Sequence, residues 1–299
     1  MAYEFAFTIL VTGADGQLGR TFRDLSTTFT NCKFIFTDKT SLPITDETAV
    51  DRFFSKNIFD VCINCAAYTA VDMAEDEQAL SQLVNTTAPA LLAKYCAQNA
   101  VLFIHISTDY VFNGKASTPY TETDETDPVN FYGYSKQQGE EQVFAANPNA
   151  IVIRTSWVYS QHGKNFVKTM CYLLRQKEKI SVVADQWGSP TAASNLAEAI
   201  MDIIVGKNYS PGIYHYCNQG IITWHQFAVA IKNALHTDCI VAAIGTIDYP
   251  TKAARPAYSA LDTSKIKQQF SLTPPQWEES LKKVIAQIKM QTISANPVP

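Results

Sequence analysis

The chain has 299 residues, 46% of them hydrophobic and 17% charged, with a formal net charge of −4. That balance suits one large soluble domain or two joined lobes and excludes a broad basic surface for nucleic acid. No apolar run reaches the ~18 residues of a membrane span, and "MAYEFAFTILVTGA" lacks the basic segment and cleavage site of an export signal, so the expected setting is cytoplasmic, with no nucleic-acid and no membrane partner.

The first half alternates strands and helices. "FTILVTG" is a continuous apolar run ending in glycine, as expected of a strand buried on both faces of a parallel sheet. A helix follows from Gln17, then the strand "KFIFTD", the helix "AVDRFFSKN" and the strand "DVCINCAA". A long helix is expected over 78–98, followed by the strand "AVLFIHIS", a helix containing "YGYSK" and the strand "AIVIRTS". Parallel strands joined by helical crossovers make a Rossmann-type, doubly wound α/β sheet. Beyond residue 155 the pattern loosens. Helices are expected near 165–177 and 194–205 and from Thr223 and Glu278, with a short strand near 180–183 and a frayed end from Met290. The division expected is a dinucleotide-binding domain over 1–155, with segments near 190–217 returning to it, and a smaller, interleaved substrate lobe mainly over 156–299.

Seven scattered cysteines, an odd number, do not make a disulfide framework. Cys62 and Cys65 form C-x-x-C on a strand, where residues three apart point to opposite faces, so they make no redox or metal pair. The five histidines show no metal-ligand spacing, and His105 in "FIHIS" reads as a core or strand-end residue.

Two constellations carry chemistry. "VTGADGQLG" sets Gly13, Gly16 and Gly19 between a strand and a helix. Such a turn lets backbone approach a pyrophosphate at the helix N-terminus, and Gln17 and Leu18 open that helix beside it. Asp38 ends the second strand 19 residues after Gly19, where an acid can bond the ribose hydroxyls of NADH. Lys39, Thr40 and Ser41 follow and can hold the 2′-phosphate of NADPH, so use of both cofactors is expected. The second constellation is Tyr132 with Lys136. Four residues apart on a helix, they share a face, whereas Tyr134 lies about 200° around. A free phenol has a pKa of about 10. An ammonium about 4 Å away contributes roughly 4 kcal/mol toward the phenolate at an effective dielectric near 20, which would bring Tyr132 toward the working pH of a proton donor. Ser107 and Thr108 end a neighbouring strand, where a hydroxyl can orient the substrate oxygen.

These motifs, with "NCAAYTAVDMAE", "STDYVFNG", "RTSWVY", "DQWGSPT", "ITWHQFA" and "ARPAYSALDTSK", resemble the dTDP-4-dehydrorhamnose reductase family of extended short-chain dehydrogenase/reductases over nearly the whole chain. The resemblance implies reduction of the 4-keto group of a dTDP-linked 6-deoxy-hexulose, the last step toward dTDP-L-rhamnose. It implies that Tyr132 protonates the keto oxygen, Lys136 binds the nicotinamide ribose and tunes Tyr132, and Thr108 bonds the substrate oxygen. Ala66, Ala67 and Thr69 would lie beside the cofactor. Asp109, Tyr110, Val111 and Phe112 of "STDYVFNG", with Trp157, would line the substrate, and Arg255 would meet its diphosphate. Some members bind a metal between subunits through acidic side chains. The matching places here, Thr21 and Ser194, are not acidic, so neither metal nor that dimer is implied, and a monomer or weak homodimer is expected.

Two rivals share the fold. Related 4,6-dehydratases place an Asp-Glu pair after the threonine, whereas Asp109 is followed by Tyr110, which leaves elimination without its base. The fold also resembles the non-catalytic beta subunit of methionine adenosyltransferase, and the intact Tyr132, Lys136 and Thr108 argue against that role.

Overall fold

In the computed structural model, which describes residues 6–295, the first strand decides the architecture. Ile9 and Val11 of β1 (Phe7–Thr12) enter one apolar cluster and Leu10 another, all three fully buried. A strand apolar on both faces must lie inside a sheet covered on both sides. After β1 come α1 (Gln17–Leu25), β2 (Cys32–Phe36), α2 (Glu47–Lys56) and β3 (Val61–Asn64). A helical stretch follows, made of α3 (Gln78–Gln82), a π turn (Leu83–Thr87) and α4 (Ala88–Gln98). It leads to β4 (Leu102–Thr108), α5 (Phe131–Ala146) and β5 (Ile151–Thr155). The rest of the chain forms β6 (Val158–Tyr159), α6 (Phe166–Gln176), β7 (Lys179–Val183), β8 (Trp187–Gly188), β9 (Thr191–Ala192), α7 (Ala193–Gly206) and β10 (Gly212–His215). Then come β11 (Ile222–Thr223), α8 (Trp224–Leu235), β12 (Ile240–Ile244), α9 (Ser264–Phe270) and α10 (Trp277–Ala295).

Among the described residues the central sheet has six strands, in the order β10-β5-β4-β3-β1-β2, all parallel. The strand order reverses between β1 and β3, so a crevice opens beyond their carboxyl ends, the usual ligand position in such sheets. α1 and α7 contribute to the cluster on one face, and α2, α4 and α5 to that on the other. Cys62 belongs to the second cluster and Cys65 packs against the first, on opposite faces as the strand period requires. A third apolar cluster gathers α6, α8 and α10 near β7, which pairs in parallel with β12. No helix among the described residues is long and apolar enough to cross a membrane.

Three features depart from the sequence reading. The helix expected over 78–98 carries the π turn. Pro89, at the start of α4, has no N–H to give the Asn85 carbonyl. That carbonyl instead faces Gly139 of α5, where a Cβ would come within 2.1 Å of it. The strands β10 and β12 were not foreseen. Each is a short edge strand whose polar or turn-rich flanks hide it, and β10 completes the sheet against β5. The tail expected to fray from Met290 instead continues α10 to Ala295, and residues 296–299 lie outside the described residues.

Candidate active site

The glycine turn joins β1 to α1. Gly13 has φ +65, and a Cβ there would stand 2.6 Å from Ala66 N. A Cβ on Gly19 would stand 2.4 Å from Gly13 O. Only glycine permits this turn to press against the end of β3. The turn borders two adjoining cavities. One, of about 580 Å³, includes Gly13, Gly16, Asp38, Lys39, Ala66 and Ala67 in its lining. The other, of about 520 Å³, shares Asp15, Gly16, Cys65 and Ala67 with it and continues past Gln17, Leu18 and Thr69 to Thr108, Asp109, Tyr132, Lys136 and Trp157. Together they form a trench across the switch point, with the glycine turn at its middle. Such a cradle, with glycine at 13 and 16 and open at a helix N-terminus, fits the pyrophosphate of a dinucleotide. Leu42, Leu83 and Val84 give the first cavity apolar walls for a base.

Asp38 is less available than its position suggests. Its Oδ1 accepts from Thr40 N at 2.9 Å, Ser41 N at 2.8 Å and Ser41 Oγ at 2.9 Å. These bonds, those of Ser41 foremost, hold the carboxyl below its ordinary range. These bonds use one carboxylate oxygen, and Asp38 still lines the first cavity.

At the other end of the trench, α5 begins on Asn130, whose side chain accepts from Gly133 N at 2.8 Å. A Cβ on Gly133 would lie 2.1 Å from Tyr110 O. That approach presses the first turn of α5 onto the turn after β4, setting Tyr132 beside Thr108, with the rings of Tyr110 and Tyr132 edge to face at 5.8 Å. Tyr134 points out, 41% exposed. Ser107 is turned inward: its Oγ donates to Glu140 Oε1 at 2.5 Å. Of the two hydroxyls ending β4, Thr108 is therefore the one left for a ligand. It donates to Asp109 Oδ1 and accepts from Tyr110 N, each at 3.2 Å.

The protonation states follow from burial. The Tyr132 phenol is pushed up to about 12, chiefly by desolvation, with Thr108 opposing and Asp109 adding to the rise. The direction is opposite to the tuning expected from Lys136. Tyr132 is therefore a protonated phenol, the form a proton donor needs. Lys136, 1% exposed, is lowered to about 8 by burial, opposed by Glu140. Its Nζ donates to Ile106 O at 2.7 Å and stands 3.2 Å from His105 Nε2. Asp109, 2% exposed, is raised to about 7 by burial, with Ser259 and Thr108 opposing. Its Oδ2 lacks a well-formed hydrogen bond.

Beneath these groups lies a buried ion pair that the sequence did not reveal. Arg154 of β5 grips Glu140 of α5, with Nη2 2.6 Å from Oε2 and Nε 2.9 Å from Oε1. Glu140 thereby joins α5 to β5 and, through Ser107, to β4. Asn85 of the π turn was also missed. It brackets Tyr68, accepting from its N–H at 2.8 Å and donating to its carbonyl at 3.0 Å, and donates to Ser135 Oγ at 3.0 Å. Nothing in a one-sequence pattern marks these residues, because their partners are distant in the chain.

The remaining expected residues divide. Trp157 lines the second cavity with φ +47, a strained value for a non-glycine residue. It stacks on Trp224 at 3.5 Å, and only glycine fits at 188 beneath it, since a Cβ there would stand 2.6 Å from Trp157 Cε2. Val111 and Phe112 are fully buried in a small cluster with Tyr120, Cys217 and Leu261 and line neither cavity. Arg255 also lines neither; its guanidinium pairs with Asp72, at 3.0 and 2.7 Å, and donates to Ala253 O.

A family model described as the RmlD substrate binding domain matches residues 7–290. A dTDP-4-dehydrorhamnose reductase from Aggregatibacter actinomycetemcomitans is 39% identical over 288 residues, covering 93% of this chain and 98% of that protein. The chain belongs to the dTDP-4-dehydrorhamnose reductase family. The spore coat polysaccharide biosynthesis protein SpsK of Bacillus subtilis is 38% identical, covering 93% of this chain and 96% of its own length. Among solved structures, a dTDP-4-dehydrorhamnose reductase from Clostridium acetobutylicum superposes with a TM-score of 0.90 at 39% identity, covering 95% of this chain and 100% of that one. The corresponding enzyme from Bacillus anthracis, in complex with NADP, gives 0.89 at 35% identity, covering 94% and 99%. The likeness to this family thus runs through both the glycine turn and the second lobe.

Proposed function

We propose that the protein reduces the 4-keto group of dTDP-4-dehydro-L-rhamnose with NADPH or NADH, giving dTDP-L-rhamnose for polysaccharide biosynthesis. The observation that carries this reading is the meeting of Tyr132, Thr108 and Lys136 at one end of a trench whose middle is the glycine turn. Gly13, Gly16, Gln17, Leu18, Gly19, Ala66, Ala67 and Thr69 hold the dinucleotide, with Asp38 and Lys39 at its adenosine ribose. Bound there, a reduced nicotinamide supplies hydride to the keto carbon. Thr108 orients the keto oxygen, and Tyr132 gives that oxygen its phenolic proton, so the ketone becomes a hydroxyl. Lys136 holds the nicotinamide ribose and, as an ammonium, favours the phenolate that Tyr132 leaves behind. Trp157 bounds the sugar and Asp109 completes that end, while Tyr110, which lines neither cavity, packs its ring against Tyr132. Tyr110 stands where a dehydratase would need a second carboxylate, which favours plain reduction.

Two placements keep residues from direct contact in this conformation. Val111 and Phe112 support the substrate end from the core, and Arg255 reaches a diphosphate only by exchanging Asp72 for it. We place the enzyme in the cytoplasm, acting as a monomer or weak homodimer, with residues 1–155 and 190–217 carrying the cofactor and the remainder of 156–299 mainly the sugar nucleotide. The test couples the protein to the upstream dehydratase and epimerase and follows nicotinamide absorbance with each cofactor. Loss of absorbance that requires the keto sugar is expected, and none with either cofactor would end the proposal.

A further inference from the structure

His105 has no part in the mechanism so far, yet it lies directly behind Lys136. It is fully buried on β4, and both its ring nitrogens face nitrogen atoms. Nδ1 is 3.0 Å from Asn64 Nδ2, and Nε2 is 3.2 Å from Lys136 Nζ. A neutral imidazole has one N–H and one lone pair, so the two contacts cannot both be bonds donated to the ring. The surroundings of Asn64 decide between them. The backbone N–H of Ala66, which can only donate, lies 3.2 Å from Asn64 Oδ1, and the Thr12 hydroxyl donates to the same oxygen at 2.6 Å. The amide NH₂ of Asn64 must then face His105 and donate to Nδ1. The ring proton is left on Nε2, aimed at Lys136 Nζ. An ammonium cannot accept it, but a neutral amine can, while still donating to Ile106 O and keeping one N–H for the trench.

We propose that His105 is a positioning residue for the reduction: locked by Asn64 as the Nε2–H tautomer, it offers Lys136 a donor where an acceptor would be expected, and so favours the neutral amine over the ammonium. The inference rests on the reductive function proposed above and assigns His105 a share in its pH dependence. The ammonium that supports the Tyr132 phenolate is present only below the pH at which the amine forms, so His105 helps to set where turnover falls off on the alkaline side. The other groups around Lys136 are accounted for. Glu140, one turn along α5, favours the ammonium, but both its oxygens are engaged by Arg154 of β5. Tyr132 on α5 and Asp109 after β4 face the trench, as does Cys65, which follows Asn64 just past the end of β3. Burial also holds His105 well below the usual imidazole range, with Lys136 adding to the effect, so the ring is neutral at working pH.

The experiment has two arms. Long-range ¹H–¹⁵N NMR of histidine-labelled protein reads the tautomer without substrate, the His105 signals being assigned by their loss in His105→Leu. Protonation at Nε2 across the neutral range is expected; an Nδ1–H ring or an imidazolium would overturn the proposal. The second arm is Asn64→Asp, which keeps an acceptor for Ala66 N–H, draws the ring proton to Nδ1 and turns Nε2 into an acceptor for Lys136. The alkaline limb of kcat should rise by roughly one pH unit or more. On the His105→Leu background, where the ring is gone but the added charge stays, Asn64→Asp should give no such further rise over His105→Leu alone; a further rise of the same size there comes from charge alone and contradicts the proposal. Should Asn64→Asp not fold, the wild-type tautomer still decides. A wild-type protein inert toward the keto sugar sinks the reductive reading, whereas an active one with an Nδ1–H ring sinks only the role of His105.

Discussion

Replacing Gly133 by alanine should separate catalysis from folding. The added Cβ would start 2.1 Å from the Tyr110 carbonyl oxygen. Ordinary contact requires more than 3 Å, so helix α5 or the turn after β4 must give way by about 1 Å. Neither can move freely. Asn130 caps the helix, Glu140 ties it to Arg154 and Ser107, and Ser135 is held by Asn85. Overpacking of this kind costs about 1–3 kcal/mol of stability. The same displacement carries Tyr132 away from Thr108, and a misplacement of about 1 Å in a reacting group can lower turnover by about 10²-fold. The adenosine cavity lies at the far end of the trench and only Lys136 of the displaced helix reaches the cofactor, so cofactor affinity should fall far less than kcat. Urea unfolding, kcat for the keto sugar and NADPH titration by fluorescence give the three readouts. A Gly133→Ala protein with wild-type stability and wild-type kcat would refute the account of how Tyr132 is placed.

Two further outcomes follow from the buried charges. Asp109 ionises near 3.8 when unfolded and near 7 when folded, so between those values the folded state binds more protons and stability falls as pH rises. The cost is fully present above about 7. Asp109→Asn should therefore stabilise the protein at pH about 8 by up to about 4 kcal/mol, with the advantage shrinking toward pH about 4; equal melting temperatures for the two proteins across that range would show that the carboxyl is not strained by burial. Glu140→Gln should cost about 3–5 kcal/mol by leaving Arg154 buried without its partner, while Glu140→Leu combined with Arg154→Met should cost much less. A single variant no less stable than the double one in urea would contradict the buried pairing.

What could be read from the chain was whatever depends on near neighbours in sequence. The glycine turn declares itself because its glycines, the preceding apolar strand and the following helix lie within one short segment. Tyr132 and Lys136 are legible because a helix puts i and i+4 on one face, and the outward Tyr134 follows from the same period. Residues that act through distant partners were not legible. Glu140 and Arg154 look like ordinary helix and strand residues until α5 lies across β5. Trp224 gains meaning only when it stacks on Trp157. Asp38 was expected to end β2 and lies two residues past its last residue, Phe36; its turn with Ser41 was not foreseen, because a short polar run does not show where its own hydrogen bonds close. The expected lowering of Tyr132 by Lys136 left out burial of the phenol, which pushes it the other way. β10 escaped notice because four residues at a sheet edge carry little periodicity.

The central claim is that Tyr132 protonates a sugar ketone as hydride reaches it. The most direct measurement is NADPH oxidation in the presence of the 4-keto-dTDP sugar, with the wild-type protein and Tyr132→Phe side by side. The account expects turnover by the wild type and a loss of about 10²-fold or more in kcat for the variant, with NADPH affinity kept. A variant that turns over as fast as the wild type would contradict it.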